Sequence, residues 1–322
     1  MPSTFAPTSR RSQSDTSYRA DVYARVTDQI VQAIEEGAGD WKMPWHTTGA
    51  ASVFPFNAIT GNRYRGVNTV SLWAMAQKHS YPEAKWATYR QWAELGHQVR
   101  KGERSTYCVF WKMIELQDNE SEGRDDPDLE NNHRWIARAF CVFNVAQTEN
   151  YQAPALPPQL GHERIDHAEA FAAALGADIR HGGNRAFYRP TDDFVQMPPF
   201  EAFVNPEAYY STLAHELTHW TGHESRLNRD LKNRFGDAKY AAEELIAELG
   251  AAFISADLGL ALEPKAENAA YVQTWLKVLK SDKRAIFAAS SHAQAAADYL
   301  HNLQPLFVVQ PEAHRGQQLL CL

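Results

Sequence analysis

At 322 residues, the chain is long enough for two domains that each bury a hydrophobic core. Hydrophobic residues make up 44% of the sequence and charged residues 22%, which is ordinary for a soluble globular protein. No apolar run approaches the roughly 18–20 residues that span a bilayer, and the N-terminus lacks the apolar stretch of a secretory signal. These features exclude a membrane partner and secretion, and the odd count of three cysteines agrees with a cytoplasmic protein.

The net charge of −7 conceals a basic segment. Between Trp41 and Met113 the sequence has ten Lys or Arg residues against three acids, so the remainder of the chain is strongly acidic. A basic segment inside an acidic protein indicates a polyanionic partner for that segment alone.

The N-terminal half predicts helices followed by a strand pair. Residues 1–19 are expected to form a disordered tail. A helix over 20–36 is predicted by apolar residues that recur every four positions, namely Val22, Val26, Ile30 and Ile34. Further elements are predicted as helices over 70–76 and 86–95 and strands over 106–114 and 134–145.

Two segments interrupt these elements. Residues 115–130 hold eight acids and one Arg, a composition that cannot bury a core and predicts a mobile loop between the two strands. Prolines cluster within 147–159, which we expect to be the linker between domains of residues 20–146 and 160–322.

The C-terminal half predicts a short sheet in front of several helices. A helix is expected over 166–175, and a strand pair around Ile179 and 186–188. Two central helices carry the motifs described below, and helices over 275–279 and 285–300 follow. The fold class predicted for the whole chain is α+β.

The basic segment is also rich in aromatic residues. Six of the nine tryptophans lie between positions 41 and 111. Interleaved rings and cations suit single-stranded nucleic acid, because bases stack on rings at about 1–3 kcal/mol each and cations follow the phosphates. Helical positions favour a core role for Trp73, Trp86 and Trp92. The candidate nucleic-acid contacts in loops and turns are Trp45, Tyr64, Arg65, Arg100, Lys101 and Arg104.

The C-terminal half contains the pattern H-E-x-x-H. On a helix, His215 and His219 lie on one face and can direct both imidazoles at one Zn²⁺ ion, while Glu216 can reach a water as general base. Asn205 precedes a proline, as expected for a helix N-cap, and Gly222 occupies the position of a C′ glycine. The simpler alternative is a helix that carries two histidines by chance.

A second helix downstream offers carboxylates. At 100° per residue, Glu244 and Glu248 share a face lined by small residues that allow another helix to come close. Glu243 lies about 100° away and is expected to be a solvent-facing charge. Either Glu244 or Glu248 could be the third ligand.

The spacing of these motifs resembles the gluzincin metallopeptidases. The resemblance implies that Glu244 binds zinc and that Glu248 orients a ligand histidine. The sequence departs from the usual gluzincin pattern at Glu243, where the family has Asn, and at Glu248, where it has Asp. These departures leave the choice between Glu244 and Glu248 open. An oxyanion donor is also expected, and His292 is one possibility, although a solvent-facing histidine is the simpler reading.

The N-terminal motifs complete a second resemblance. Trp41-x-x-Pro44-Trp45, the run Tyr64-Arg65-Gly66-x-Asn68 and the glycines of 96–102 resemble the single-stranded-DNA-binding domain of ArdC-type antirestriction proteins and the N-terminal part of TraC-type primases. The C-terminal motifs are similar to the metallopeptidase domain of the same family. The resemblance implies Asn68 as a further DNA contact.

It also implies a plasmid-borne cytoplasmic protein that binds single-stranded DNA and protects incoming DNA from restriction during conjugation, with one zinc ion and a host protein as possible substrate. Two alternatives remain open at this point. One is a DNA-binding protein whose metal site is structural or vestigial, and the other is a DNA-dependent protease that acts on DNA-bound proteins.

Overall fold

The structure is a computed structural model that describes residues 11–37, 54–115, 133–152, 165–230, 238–260 and 268–305. The expected acidic loop therefore lies almost entirely outside the described residues, as do Trp45 and most of the expected linker. Helices and a small sheet alternate in both halves of the chain, which confirms the α+β class. No helix among the described residues is long and apolar enough to cross a membrane.

In the described part of the N-terminal half (within residues 11–152), three α-helices pack with a four-stranded sheet. The elements are α1 (Arg11–Gly37), β1 (Phe56–Asn57), α2 (Val67–Lys78), β2 (Lys85–Ala87), α3 (Tyr89–Glu94), β3 (Thr106–Glu115) and β4 (His133–Asn144). The strand order is β1-β2-β4-β3. The predicted strand pair is confirmed, since β3 and β4 are antiparallel from Thr106↔Val142 to Glu115↔His133.

Two helix boundaries predicted in this half were wrong. Helix α1 already begins at Arg11, within the expected tail, because a helix extends cheaply once a packed segment has nucleated it. The helix expected over 86–95 begins only at Tyr89, since Trp86 pairs with β4 and Thr88 forms a capping box with Gln91. The expected linker starts with Gln147 and Thr148, which are buried against the N-terminal half.

Side chains close the free edge of β3. The side-chain amide of Asn68 accepts a hydrogen bond from Val109 N and donates one to Val109 O, both at 2.7 Å. Gln29 accepts from Tyr107 N at 3.1 Å, and Ser71 donates to Tyr107 O at 2.9 Å. These bonds satisfy backbone groups that an edge strand would otherwise leave unpaired.

The C-terminal half (residues 165–305) places a three-stranded sheet beside five helices of the described chain. The elements are α4 (Asp166–Ala174), β5 (Asp178–His181), β6 (Phe187–Arg189), β7 (Phe194–Met197), α5 (Pro206–Thr221), α6 (Ala238–Asp257), α7 (Asn268–Ser281) and α8 (Ala285–Asn302). The expected pairing of β5 with β6 is wrong, because β7 lies between them and pairs with both. β7 is the most buried of the three strands and therefore takes the central position.

The two halves share one hydrophobic core. Phe54 and Trp73 of the N-terminal half pack against Phe253 of α6, with ring centroids 5.6–5.8 Å apart. Helix α6 also packs along both α5 and α8. The helix that carries the candidate carboxylates is thus in contact with both halves of the molecule.

Candidate metal centre

Helix α5 presents the two histidines from a well-capped segment. The Asn205 side chain accepts a 2.7 Å hydrogen bond from Ala208 N, and Pro206 is the first helical residue, as predicted. Gly222 caps the C-terminus with φ −74°, so it is right-handed and not the left-handed glycine that the sequence suggested. The reason is that the chain continues into tight turns that fold back along α5.

A close approach of α6 brings the carboxylates to these histidines. Gly250 of α6 faces Thr218, which lies between the two histidines on α5. A Cβ on Gly250 would lie only 2.5 Å from both Cγ2 and Oγ1 of Thr218. Glycine is therefore what lets the two helices come this close.

Three side chains offer metal-ligating atoms to one point. The Nε2 atoms of His215 and His219 lie 3.6 Å and 3.5 Å from the two carboxylate oxygens of Glu244. One donor atom from each residue lies within 4.8 Å of the other two. Ligands at about 2.0–2.1 Å in a tetrahedral zinc site are about 3.4 Å apart, so this spacing suits a single small cation.

The opposite ring nitrogens are held by two further carboxylates. His215 Nδ1 lies 3.2 Å from Glu248 Oε2, and His219 Nδ1 lies 3.1 Å from Glu243 Oε1. A carboxylate accepts from an N–H, so each neutral imidazole carries its proton on Nδ1 and keeps the Nε2 lone pair for the common point. The Glu244 carboxylate faces that point, whereas the Glu248 carboxylate contacts the opposite ring nitrogen of His215.

The position of Glu243 corrects the sequence analysis, which expected a solvent-facing charge. The Glu243 side chain is only 11% exposed and is held by Arg229, whose Nε and Nη2 donate to the two carboxylate oxygens at 3.1 and 2.9 Å. Arg229 also donates to Thr218 O and Thr221 Oγ1. The turns after α5 fold this arginine over α6 and cover what helical periodicity alone left at the surface.

The charges in the site perturb one another strongly. Burial by itself would lower the pKa of His219, but hydrogen bonds to Glu243 and Glu244 and the nearby carboxylates raise it to about 10. Burial would raise the pKa of Glu244, yet hydrogen bonds from both histidines hold it well below its usual range. The pKa of Glu243 is likewise lowered, because hydrogen bonds from His219 and Arg229 outweigh its desolvation. Without a metal, the cluster is a network of ion pairs.

The remaining predicted residues of this half have distinct environments. Glu216 is buried and follows His215 on α5, and its charge contributes to the raised pKa of His219. His292 is exposed on α8, in agreement with the simpler reading of that residue. The sequence analysis missed Arg229 altogether, since no motif marks it.

Several residues predicted to contact DNA instead make contacts within the protein. Tyr64 is buried, its hydroxyl lies 3.4 Å from Asn57 Nδ2, and burial raises its pKa to about 12, so its ring offers no free stacking face. Asn68 is bonded to β3 as described above. These two placements correct the sequence analysis, because Tyr64 is packed against α2 and Asn68 lies in the first turn of α2 with its side chain bonded to β3.

The predicted cations divide into paired and unpaired groups. Arg65 pairs with Asp298 of α8, and Arg100 donates to Glu103 and to Thr148 O. Lys101 and Arg104 are exposed. The tryptophans expected in the core are confirmed there, namely Trp73, Trp86 and Trp92.

The fold and the site define a protein with a zincin-like metallopeptidase domain. Residues 166–292 match the family model of zincin-like metallopeptidases, and residues 20–143 match the N-terminal domain of anti-restriction factor ArdC. The crystal structure of the antirestriction protein ArdC from the R388 plasmid in its metal-free form is 42% identical, with a TM-score of 0.72 over 88% of this chain and 98% of that chain. The chain therefore belongs to the ArdC antirestriction family.

Other relatives agree with this assignment. The Mn(II)-bound structure of the R388 ArdC protein is 41% identical, with a TM-score of 0.70 over the same shares of both chains. Protein y4eC of Sinorhizobium fredii is 49% identical over 88% of this chain and 92% of its own length. The DNA primase TraC of Escherichia coli is 38% identical over 86% of this chain, but that match spans only 27% of the primase.

Proposed function

We propose that this ArdC-family protein binds single-stranded DNA in the cytoplasm, protects incoming plasmid DNA from restriction during conjugation, and carries a zinc-dependent peptidase activity. The observation that carries the enzymatic part is the convergence of His215 Nε2, His219 Nε2 and a Glu244 carboxylate oxygen. A host protein is the proposed substrate.

The donor set fits one zinc ion. Two imidazoles and one carboxylate are the ligands of catalytic zinc sites, which keep a further position open. The relative described as Mn(II)-bound supports a divalent ion at this site. His215, His219 and Glu244 would hold the ion, while Glu248 and Glu243 keep the imidazoles in the correct tautomer.

The proposed chemistry is peptide hydrolysis. When bound, zinc supplies a Lewis acid that polarises a carbonyl and makes a nearby water more acidic. Glu216 is the proposed general base that accepts a proton from the attacking water and passes it to the leaving amine. Its burial beside the histidines limits competing contacts with bulk solvent.

Two measurements test this assignment. Zinc content of the wild type should be close to one ion per chain and should fall in His219→Ala and Glu244→Ala. Glu248→Ala should retain metal with weaker affinity, which distinguishes a supporting group from a ligand. Glu216→Ala should bind zinc and lose peptide cleavage, and retained cleavage would overturn its role as base.

The DNA-binding part of the proposal is supported by the basic, aromatic N-terminal half. Besides Lys101 and Arg104, this half exposes the rings of Tyr89, Phe110 and Trp111. Exposed rings and cations are what a single strand requires. A transfer assay into a restricting host tests protection, and loss of protection in a variant that no longer binds DNA is the expected result.

A second candidate is a DNA-dependent protease, favoured by the hydrophobic core that both halves share. It predicts that single-stranded DNA increases cleavage of a protein substrate or of the chain itself. If Glu216→Ala protects plasmids as well as the wild type does, antirestriction does not need peptidase activity and the metal site has a structural role.

A further inference from the structure

A cavity of about 250 Å³ lies between the two halves of the chain. The N-terminal half contributes the loop that precedes α2, with Phe54, Arg63 and Arg65. The C-terminal half contributes Asp257, the last residue of α6, and Asp298 of α8. The metal centre is built from other residues of α5 and α6, and this cleft contains none of them.

The two arginines of the loop pair with carboxylates of the opposite half. Arg63 donates to Asp257 and Arg65 donates to Asp298. Arg90 and Arg100 of the N-terminal half pair locally, with Glu94 and Glu103. The Arg63 and Arg65 pairs, by contrast, join positions 194 and 233 residues apart.

Each carboxylate is held in place by a second group of α8. His301 Nε2 lies 2.8 Å from Asp257 Oδ2, and Gln294 Nε2 donates to Asp298 Oδ1 at 3.1 Å. Gln294 Oε1 in turn accepts a 3.1 Å hydrogen bond from Gly66 N. Both acids are therefore positioned by helix α8 of the C-terminal half, whereas the arginines reach across from a loop.

The arginines remain open to solvent. Their side chains are 58% and 61% exposed, while those of Asp298 and Asp257 are 43% and 15% exposed. The Arg65–Asp298 pair is thus exposed on both sides, and such pairs hold their partners weakly. A guanidinium binds phosphate with the same planar geometry as carboxylate, so a chain of phosphates can replace the acids without a change in the arginines.

We propose that this cleft binds the phosphates of single-stranded DNA, and that Asp257 and Asp298 occupy the phosphate positions while DNA is absent. This inference rests on the proposed DNA-binding function and deepens it. The Arg63 guanidinium packs over the ring of Phe54, with its central carbon 5.2 Å from the ring centroid. Because Asp257 ends the helix that carries Glu244, bound DNA would act directly on an element of the metal centre.

Binding of a fluorescein-labelled oligothymidylate, followed by anisotropy, tests the proposal. Asp298→Asn and Asp257→Asn should bind up to about fivefold more tightly than the wild type, which is the competition that an exposed pair can exert. Arg63→Gln and Arg65→Gln should bind more weakly and lower the slope of log K against log salt by about 0.7 each.

Glu94→Gln is the matched control. It changes the net charge as Asp298→Asn does, but its carboxylate pairs with Arg90 away from the cleft. In the Arg65→Gln background, Asp298→Asn should produce no gain. Asp298→Asn leaves the buried contacts of Asp257 intact, so it decides the question if Asp257→Asn fails to fold.

The outcomes distinguish a failure of the DNA-binding function from a failure of the cleft as the binding site. A wild type that does not bind the oligonucleotide refutes the DNA-binding function itself. A wild type that binds, with Asp298→Asn no tighter than Glu94→Gln, overturns the cleft while leaving that function in place. A gain from Asp298→Asn that persists without Arg65 also overturns it, because it would be a general effect of charge.

Discussion

Replacing Gly250 with alanine tests how the metal centre is assembled. The new Cβ would lie 2.5 Å from two side-chain atoms of Thr218, whereas carbon atoms are in favourable contact from about 3.5 Å. Thr218 has no room to turn away, since it is fully buried and its hydroxyl donates to Ala214 O at 2.8 Å. Helices α5 and α6 would therefore have to separate by about 1 Å.

Two opposing effects determine the stability change. Alanine is favoured over glycine inside a helix by about 1 kcal/mol. Overpacking a buried contact costs about 1–3 kcal/mol. We expect Gly250→Ala to be destabilised by up to about 2 kcal/mol in urea unfolding of the metal-free protein.

Metal affinity gives a second, independent readout. Glu244 lies on α6 and the two histidines lie on α5, so separation of the helices lengthens the distances between the ligands. A loss of about 10–100-fold in zinc affinity, measured by competition with a chelator, is expected by analogy with disturbed supporting groups. Thr218→Ala removes both clashing atoms and should rescue Gly250→Ala in the double variant. A Gly250→Ala protein that is about 1 kcal/mol more stable with unchanged zinc affinity would refute this account of the helix contact.

Four further predictions concern the same elements. Glu243→Gln should weaken zinc binding about 10–100-fold, since the His219 imidazole loses the carboxylate that orients it; unchanged affinity in chelator competition would contradict this. Arg229→Gln should lower the free energy of unfolding by about 3 kcal/mol. This is the lower end of the range for breaking a buried ion pair, because His219 remains beside Glu243 as a second partner. Arg226→Gln, whose partner carboxylate is 39% exposed, is the control and should lose less. The pKa of His219, raised to about 10, predicts that its imidazole carries a proton at neutral pH without metal, so zinc uptake should release a proton and zinc affinity should increase as the pH rises towards about 10. Calorimetry in buffers of different ionisation enthalpy measures that proton. Phe253→Ala should cost about 3–5 kcal/mol and leave one cooperative unfolding transition for both halves, whereas two separate transitions would show that the halves do not share a core.

Local sequence patterns were sufficient to predict the two helices that carry the site and the helix faces on which its residues lie. The period of a helix places His215 and His219 on one face, and the residues around Asn205 define where that helix starts. The same period groups Glu244 with Glu248. Two apolar strand-like runs on either side of the acidic segment likewise predicted that β3 and β4 pair. Each of these features depends on residues close together in the chain, and the sequence displays them directly.

Tertiary packing decided the roles within that framework. Periodicity could not distinguish Glu244 from Glu248 as the group nearest the convergence point, and it wrongly assigned Glu243 to solvent. That assignment depends on Arg229, which reaches Glu243 only because the chain turns back after α5. In the N-terminal half, Tyr64 and Asn68 looked like exposed loop residues, but Tyr64 is buried against α2 and the Asn68 side chain is bonded to β3.

The sequence by itself determined the family, the helices and the chemical character of the metal ligands. Only the tertiary structure decided which face of α6 is covered and that Arg63 and Arg65 meet acids about 200 residues away. The physical reason is that burial and ion pairing depend on what the opposing surface supplies. A residue's neighbours in the sequence give no information about that opposing surface.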